Sequence, residues 1–501
     1  MASVPAFGRL MAAGWTLVRA DALIPRELDP VLPGGLRTLA GALRVFAGPQ
    51  ARQGRPGERL ARCLERMGPV AIKLGQFLAT RSDIFGIQFG DDLGRLRDRL
   101  DPFPTAIAKA EIEKNLGRPL EGFLEDFGDP IAAASLAQAH KARLADGRLV
   151  AVKVLRPGIE RRVAKDSATL RLAAGLMAGL APALKRLEPK LFAETVIRSL
   201  ELELDLRFEA AGAAEMAEVM ARDSFMTCPK VVWDGVGRRV LTLEWADGVP
   251  LSSPAALTLP GLNHRELADN VIRAFLSQAL DHGVFHADLH EGNLFIDAPA
   301  KLVAVDFGIL GRLGKAERRY LAEILYGFLR KDYARVAQVH FEAGYVPAHH
   351  DVDAFAQSLR AVGEPVFGRA ASSVSMGRLL AQLFDITALF DMHLRPELVL
   401  LQKTMVTVEG VARRIDGTHD LWEAADPIVR RWIARELGPA AKARDFAEEG
   451  LRAVRALAKL AEDRAPAVVV APPRPPSRMA WFAVGAAVAG AAFLLARWWP
   501  F

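Results

Sequence analysis

Two short stretches constrain this chain most: HADLHEGN at residues 286–293 and VAVDFG at residues 303–308. In the first, Asp288 and Asn293 stand five positions apart; in the second, an apolar run delivers Asp306 at its end. Two oxygen donors carried on separate turns suit a divalent cation that is itself bound to a nucleotide, because magnesium keeps several waters and takes few protein oxygens. A transition-metal site through His286 and His290, with His282 as third ligand, is the competing reading. Gly283 interrupts the helical spacing from His282, and that reading leaves Asn293 and Asp306 without a role.

The spacing of these two stretches matches the catalytic-loop and metal-loop pattern of protein kinases. Upstream, LVAVKVLRPG sets Lys153 among valines on an expected strand, and an Asp-Gly turn before it predicts a hairpin. A second hairpin is expected over CPKVVWDGVGRRVLTLEW. A lysine that reaches nucleotide phosphates needs a carboxylate to hold it. SLELELDLRFEA supplies several, with Glu203 and Asp205 forming Glu-x-Asp, while Glu201 and Glu209 read as a solvated acidic helix face. The glycine-rich loop of a kinase is absent; PIAAASLAQAHKARL stands in its place. Alanine adds a Cβ and disfavours positive φ, so the loop at Ala132, Ala133, Ala134 and Ser135 must hold a nucleotide differently. In LTLEWADGVPL, backbone groups from Glu244 to Ala246 are candidates for the adenine edge.

Together AAASLAQAH, VAVKV, Glu-x-Asp, HADLHEGN and DFG resemble the UbiB/ADCK family of atypical kinase-like proteins. The family's further marker, Lys-x-Gly-Gln, is present at Lys73 to Gln76. As a helix this segment sets Val70, Leu74, Phe77 and Leu78 on an apolar stripe, with Lys73, Gln76 and Thr80 on another face. The resemblance, carried by motif over residues 60 to 320, implies that this helix folds over the active site, that Lys73 pairs with Glu203 or Asp205, and that Lys73, Gln76 and Asp205 regulate. It further implies ATP and Mg2+ as cofactors. Asn293 and Asp306 then hold the metal, Lys153 the phosphates, Glu203 orients Lys153, and Asp288 positions or deprotonates the attacking group. The implied activity is that of an ATPase or small-molecule kinase at the membrane, supporting ubiquinone (polyprenylphenol) biosynthesis. The alternative is a nucleotide-switched lipid-binding scaffold or chaperone of a ubiquinone-biosynthesis complex. Glu291 stands where the family usually has proline, which predicts a looser catalytic turn.

After DFGILGRLG the chain passes at once into a charged amphipathic segment with no APE-like stretch, which disfavours a protein substrate. No flavin fingerprint, haem-type cysteine or iron site supports oxygen chemistry. With only Cys63 and Cys228, no disulfide framework or structural zinc site is expected, and a reducing compartment fits. The formal charge of +6 suits an anionic lipid surface, a nucleotide or a nucleic acid and decides nothing alone. Membrane lipid or a polyprenylphenol and ubiquinone-biosynthesis proteins are the expected partners; no nucleic acid is expected.

The expected class is α+β: a protein-kinase-like bilobal fold with an N-terminal helical extension and a C-terminal transmembrane helix. Its parts are a Lys-x-Gly-Gln extension over 1–115, an N-lobe over 116–247, a helical C-lobe over 248–464, a Pro-rich linker over 465–478 and an anchor over 479–496. The anchor is uncharged from Met479 to Ala496 and flanked by Trp481, Trp498 and Trp499, enough for one span. Arg474 and Arg478 favour a cytoplasmic body, and the expected location is the inner membrane of a bacterium. An amphipathic helix is expected between Arg9 and Arg19.

Overall fold

The Asp146-Gly147 pair closes the expected hairpin. Gly147 takes φ +89°, open to glycine at no steric cost, and its N–H bonds Leu144 O at 2.8 Å. Strands β1 (Leu124–Glu125), β2 (Pro130–Ala133), β3 (Ala137–Leu144), β4 (Leu149–Leu155) and β5 (Val240–Glu244) form one antiparallel sheet in the order β1-β3-β4-β5, with β2 also paired to β3. The structure is a computed structural model describing residues 4–29, 34–79, 87–94, 96, 101–180, 188–367, 386, 389–392, 396–438, 485–487 and 489. The chain divides into two compact units, Met1–Ala434 and Arg435–Phe501.

Both faces of the sheet are covered, and this decides where Lys153 goes. Alternation along β4 sends Val150, Val152 and Val154 to one face, where they bury against Ile112, Leu124 and Leu144. Leu155 and Leu241 line the other face, with Val163, Val196, Leu200, Leu206 and Ala210 from three helices, Ile159–Leu180, Pro189–Glu203 and Leu206–Met220. Lys153 shares that second face. Ile112 belongs to the helix Thr105–Leu116, so this helix is part of the N-lobe core and not of the preceding extension. The second expected hairpin is reduced to one bridge, Val231 to Leu243, because Trp233–Gly235 forms a 3-10 turn.

The helix Pro69–Ala79 carries the Lys-x-Gly-Gln residues. Val70, Leu74 and Phe77 pack into the N-lobe core, and Phe77 meets Phe192 edge-on at 6.4 Å. Gly75 is needed here for space: a Cβ would lie 2.3 Å from Leu96 Cδ1 and 2.7 Å from Leu64 Cδ1.

In the C-lobe the helix His264–Ser277 ends in a π turn, Gln278–His282, closed by Gly283 at φ +72°. Strand β6 (Val249–Pro250) pairs with β8 (Leu294–Asp297), which pairs with β9 (Lys301–Ala304). Strand β7 (Val284–His286) pairs with β10 (Leu310–Arg312). The HADLHEGN turn thus joins β7 to β8, and the Asp306 turn joins β9 to β10. Among the described residues no helix is long and apolar enough to cross a membrane. The expected linker 465–478 lies outside the described residues, as does the expected span Met479–Ala496 apart from positions 485–487 and 489.

Candidate active site

Backbone bonds draw the two turns together. Val305 N–H donates to Asn293 O at 2.9 Å, and Ala287 N–H to Ile309 O at 3.1 Å. His286 bridges them from inside: its Nε2 lies 3.1 Å from Val305 O, and its Nδ1 accepts from Asp288 N–H at 3.1 Å. Those contacts set the tautomer, with the proton on Nε2, and burial lowers the ring's pKa so that it stays neutral. Both nitrogens of His286 are therefore committed, which rules out the alternative of a transition-metal site built on it. His290 Nδ1 accepts from Gly292 N–H at 3.0 Å.

Asn293 is 8% exposed and donates through Nδ2 to Asp288 O at 3.0 Å. Its amide orientation is fixed by that bond, which leaves its oxygen available as a candidate ligand. Asp306 sits in the left-handed region at φ +65°, a strained position for a non-glycine residue that Asp tolerates better than most. One carboxylate and one amide oxygen are hard donors of the kind magnesium takes, so the residues present fit that ion.

Lys153 Nζ stands 2.7 and 2.9 Å from the two carboxylate oxygens of Glu209 and 3.5 Å from Asp306 Oδ1. Glu203, the expected partner, is not the one used: its carboxylate pairs with Lys73. The acidic segment is two helices, not one. The first ends at Glu203, and Asp205 caps the second by accepting from Arg207 N–H at 3.2 Å. Asp205 also takes the Arg207 guanidinium at 2.6 Å, so it is not the partner of Lys73. Within the second helix Leu206, Glu209, Ala210 and Ala213 follow the i, i+3, i+4, i+7 rule, and three of them are buried. That period was the available signal that Glu209 faces inward, against the solvated reading. Gln76 is half-buried on the Lys73 helix, and Thr80 lies outside the described residues.

The charges of this cluster act on one another. Lys153 holds Asp306 below the ordinary carboxylate range, against the burial that opposes it. Burial pulls Lys153 down, but Asp306 and Glu209 outweigh it and keep the ammonium protonated. Burial pushes Glu209 up to about 6, with Lys153 opposing and the charges of Asp306 and Glu203 adding to the rise. As pH falls through about 6, Glu209 loses its charge and its grip on Lys153. The kcat/KM for nucleotide turnover is accordingly expected to show an acid limb there, read from a pH–rate profile of the parent protein; a flat profile from pH 5 to 8 would count against it. Stability runs the other way: because the folded value lies above the unfolded one, Glu209's contribution is lost as pH rises through about 6.

The alanine loop lies at the β2–β3 turn, where Ala134 N–H bonds Ala137 O at 2.8 Å and Ala134 O accepts from Arg156 Nε at 2.9 Å. Ala132 is exposed, Ala133 half-buried and Ser135 buried. Two further residues of the same motif are anchors. Gln138 bonds Phe103 N–H and Phe103 O at 2.9 and 3.0 Å and lies 2.9 Å from His140 Nε2, while His140 Nδ1 lies 2.8 Å from Gly128 O. At the strand end, Glu244 spends its N–H on Lys230 O and its carboxylate on Arg148, so neither is turned to a nucleotide. Ala246 follows it, buried.

The sequence reading missed the helix Pro396–Ile415. Its Thr404, 1% exposed, donates to Ala287 O at 3.1 Å; Lys403 Nζ lies 3.9 Å from Asp288 Oδ1; Arg414 pairs with Glu291. The turn that was expected to loosen at Glu291 is thus a closed 3-10 turn, with Asn293 N–H on His290 O at 2.9 Å and an added ion pair.

Comparison with known proteins accords with this geometry. The ABC1 atypical kinase-like domain matches residues 95–340, and the UbiB helical domain matches residues 359–420. A probable protein kinase UbiB from Marinobacter nauticus is 38% identical over 443 residues, covering 86% of this chain and 79% of that protein. One from Shewanella piezotolerans is 36% identical over 433 residues, covering 84% and 77%. The solved complex of Rv3197 with erythromycin from Mycobacterium tuberculosis shares the fold, with a TM-score of 0.51 and 22% identity over 73% of this chain and 93% of that one. With both domain models in sequence order and such identity over most of its length, the chain belongs to the UbiB family of atypical kinase-like proteins.

Proposed function

We propose that the protein is a magnesium-dependent ATPase or small-molecule kinase working at a membrane face on a polyprenylphenol of ubiquinone biosynthesis. The observation that carries this reading is Lys153 held between Glu209 and Asp306, with Asn293 and Asp288 on the adjoining turn. Bound Mg-ATP would supply the transferable phosphoryl group. Asn293 and Asp306 would hold the ion, Lys153 would meet the phosphates, and Asp288 would orient the attacking hydroxyl or water.

The acceptor is small. Between Asp306 and the helix Lys315–Arg330 the chain forms only β10, paired to β7, which leaves no long segment to dock a peptide. The helix Pro69–Ala79, locked by Lys73 to Glu203, supports the same reading by occupying the N-lobe flank.

A membrane-facing position is supported at the N-terminus. The helix Val4–Arg19 exposes Phe7, Met11 and Trp15 on one face, and Trp15 meets the exposed Phe46 at 5.5 Å. Such an exposed apolar, aromatic face suits the headgroup region of a bilayer. The segment Met479–Ala496 would add a single span that leaves the body cytoplasmic.

The test is hydrolysis of ATP by the purified chain, with and without magnesium, anionic phospholipid vesicles and a short-chain polyprenylphenol. Magnesium-dependent turnover that vesicles and phenol accelerate is expected. No turnover under any of these conditions, with lipid extraction intact in a variant unable to cleave ATP, would replace the enzyme with a nucleotide-switched lipid scaffold.

A further inference from the structure

Phosphoryl transfer spreads negative charge over the oxygens of the moving group, and a site needs fixed positive charge facing them. The turn that holds Asp288 has none of its own. Residues 286–293 contain no lysine or arginine, and His286 is buried, neutral and committed through both nitrogens. Lys153 is pinned on the other side by Glu209 and Asp306.

A cation arrives from outside the kinase-like domain. The helix Pro396–Ile415 packs by a buried stripe of Leu401, Thr404, Val408, Val411, Ala412 and Ile415. Thr404 ties that stripe to Ala287 O, and Arg414 ties it again to Glu291. Immediately before Thr404 the side chain of Lys403, 48% exposed, stands beside the stripe with its ammonium 3.9 Å from Asp288 Oδ1. Among the described residues it is the only lysine or arginine in ion-pair reach of Asp288. The separation is too long for a hydrogen bond, so Lys403 is held near the carboxylate without being consumed by it.

We propose that Lys403 is a catalytic residue of this site, contributed by the UbiB helical domain, whose ammonium contacts the terminal phosphate of the nucleotide beside Asp288. The proposal rests on the Mg-ATP reading given above. It also gives the helical domain a chemical role: whatever shifts this helix withdraws a charge from the reacting phosphate.

The experiment compares the full-length parent with Lys403→Met and Lys403→Arg. Single-turnover ATP cleavage should fall about a hundredfold in the Met variant and recover most of that loss in the Arg variant. Because only ATP carries the terminal phosphate, Lys403→Met should weaken ATP binding several-fold while leaving ADP binding unchanged, a split that misplacement of the helix would not produce. Lys403→Gln serves as second variant if Lys403→Met melts below the parent. Unchanged cleavage, or equal losses of ATP and ADP affinity, overturns the proposal. A parent that binds no Mg-ATP sinks the underlying reading instead, so the two failures are distinct.

Discussion

Asp306→Asn should abolish magnesium-dependent nucleotide turnover, with a loss of about a thousandfold, while the protein stays folded. Both halves of this expectation come from the residue's setting. Asparagine accepts the left-handed backbone at φ +65° nearly as well as aspartate, so the turn between β9 and β10 should survive. The lost charge, by contrast, is the sole carboxylate proposed for the ion and one of two anions holding Lys153, 3.5 Å away. Removing it also relieves Glu209, whose pKa is raised in part by Asp306, so the acid limb of any residual activity should move lower. Melting temperatures measured with and without Mg-ATP provide the check. The parent should be stabilised by the nucleotide and the variant should not, by the mass-action rule for ligands that bind only the folded state. Equal hydrolysis rates in the two proteins would sink the assignment of Asp306.

The second large effect separates two carboxylates. Glu209→Gln should reduce turnover about a hundredfold, since Lys153 loses the partner that holds it at 2.7 and 2.9 Å within a largely buried pair. Glu203→Gln should leave Lys153 in place and instead release Lys73, loosening the helix Pro69–Ala79 from the N-lobe. Amide hydrogen exchange over residues 69–79 is the readout for that loosening, and steady-state hydrolysis the readout for the first variant. If Glu203→Gln cripples turnover and Glu209→Gln does not, the pairing described above is wrong and Glu203 is the orienting residue after all.

That exchange of partners shows where reading the chain stopped being sufficient. The acidic segment 201–209 looks continuous, and an unbroken helix would make any of its carboxylates a candidate. Asp205 breaks it by capping a new helix, which turns Glu203 toward Lys73 and Glu209 toward Lys153. The same limit applies to the helix Pro396–Ile415. Nothing in its local pattern reveals that Lys403, Thr404 and Arg414 meet a turn over a hundred residues earlier, because that contact depends on how the C-lobe helices pack. At Glu291 the departure from the family pattern was visible, but its compensation by Arg414 was not.

Elements whose physics is local were legible. The Asp146-Gly147 turn, the alternation that buries Val150, Val152 and Val154 while turning Lys153 the other way, and the apolar stripe of Val70, Leu74 and Phe77 depend on neighbours within a few residues. The candidate metal ligands were legible for the same reason, since five positions of one turn and the end of one short strand carry them. Which charges neutralise one another was not, because an ion pair in a partly buried site is chosen by helix breaks, docking angles and desolvation. Local chemistry along the chain therefore sets out the candidate site proposed here for a metal-bound nucleotide. Only the packed structure decides which lysines and carboxylates face it, because those groups come from elements that sequence order does not place side by side.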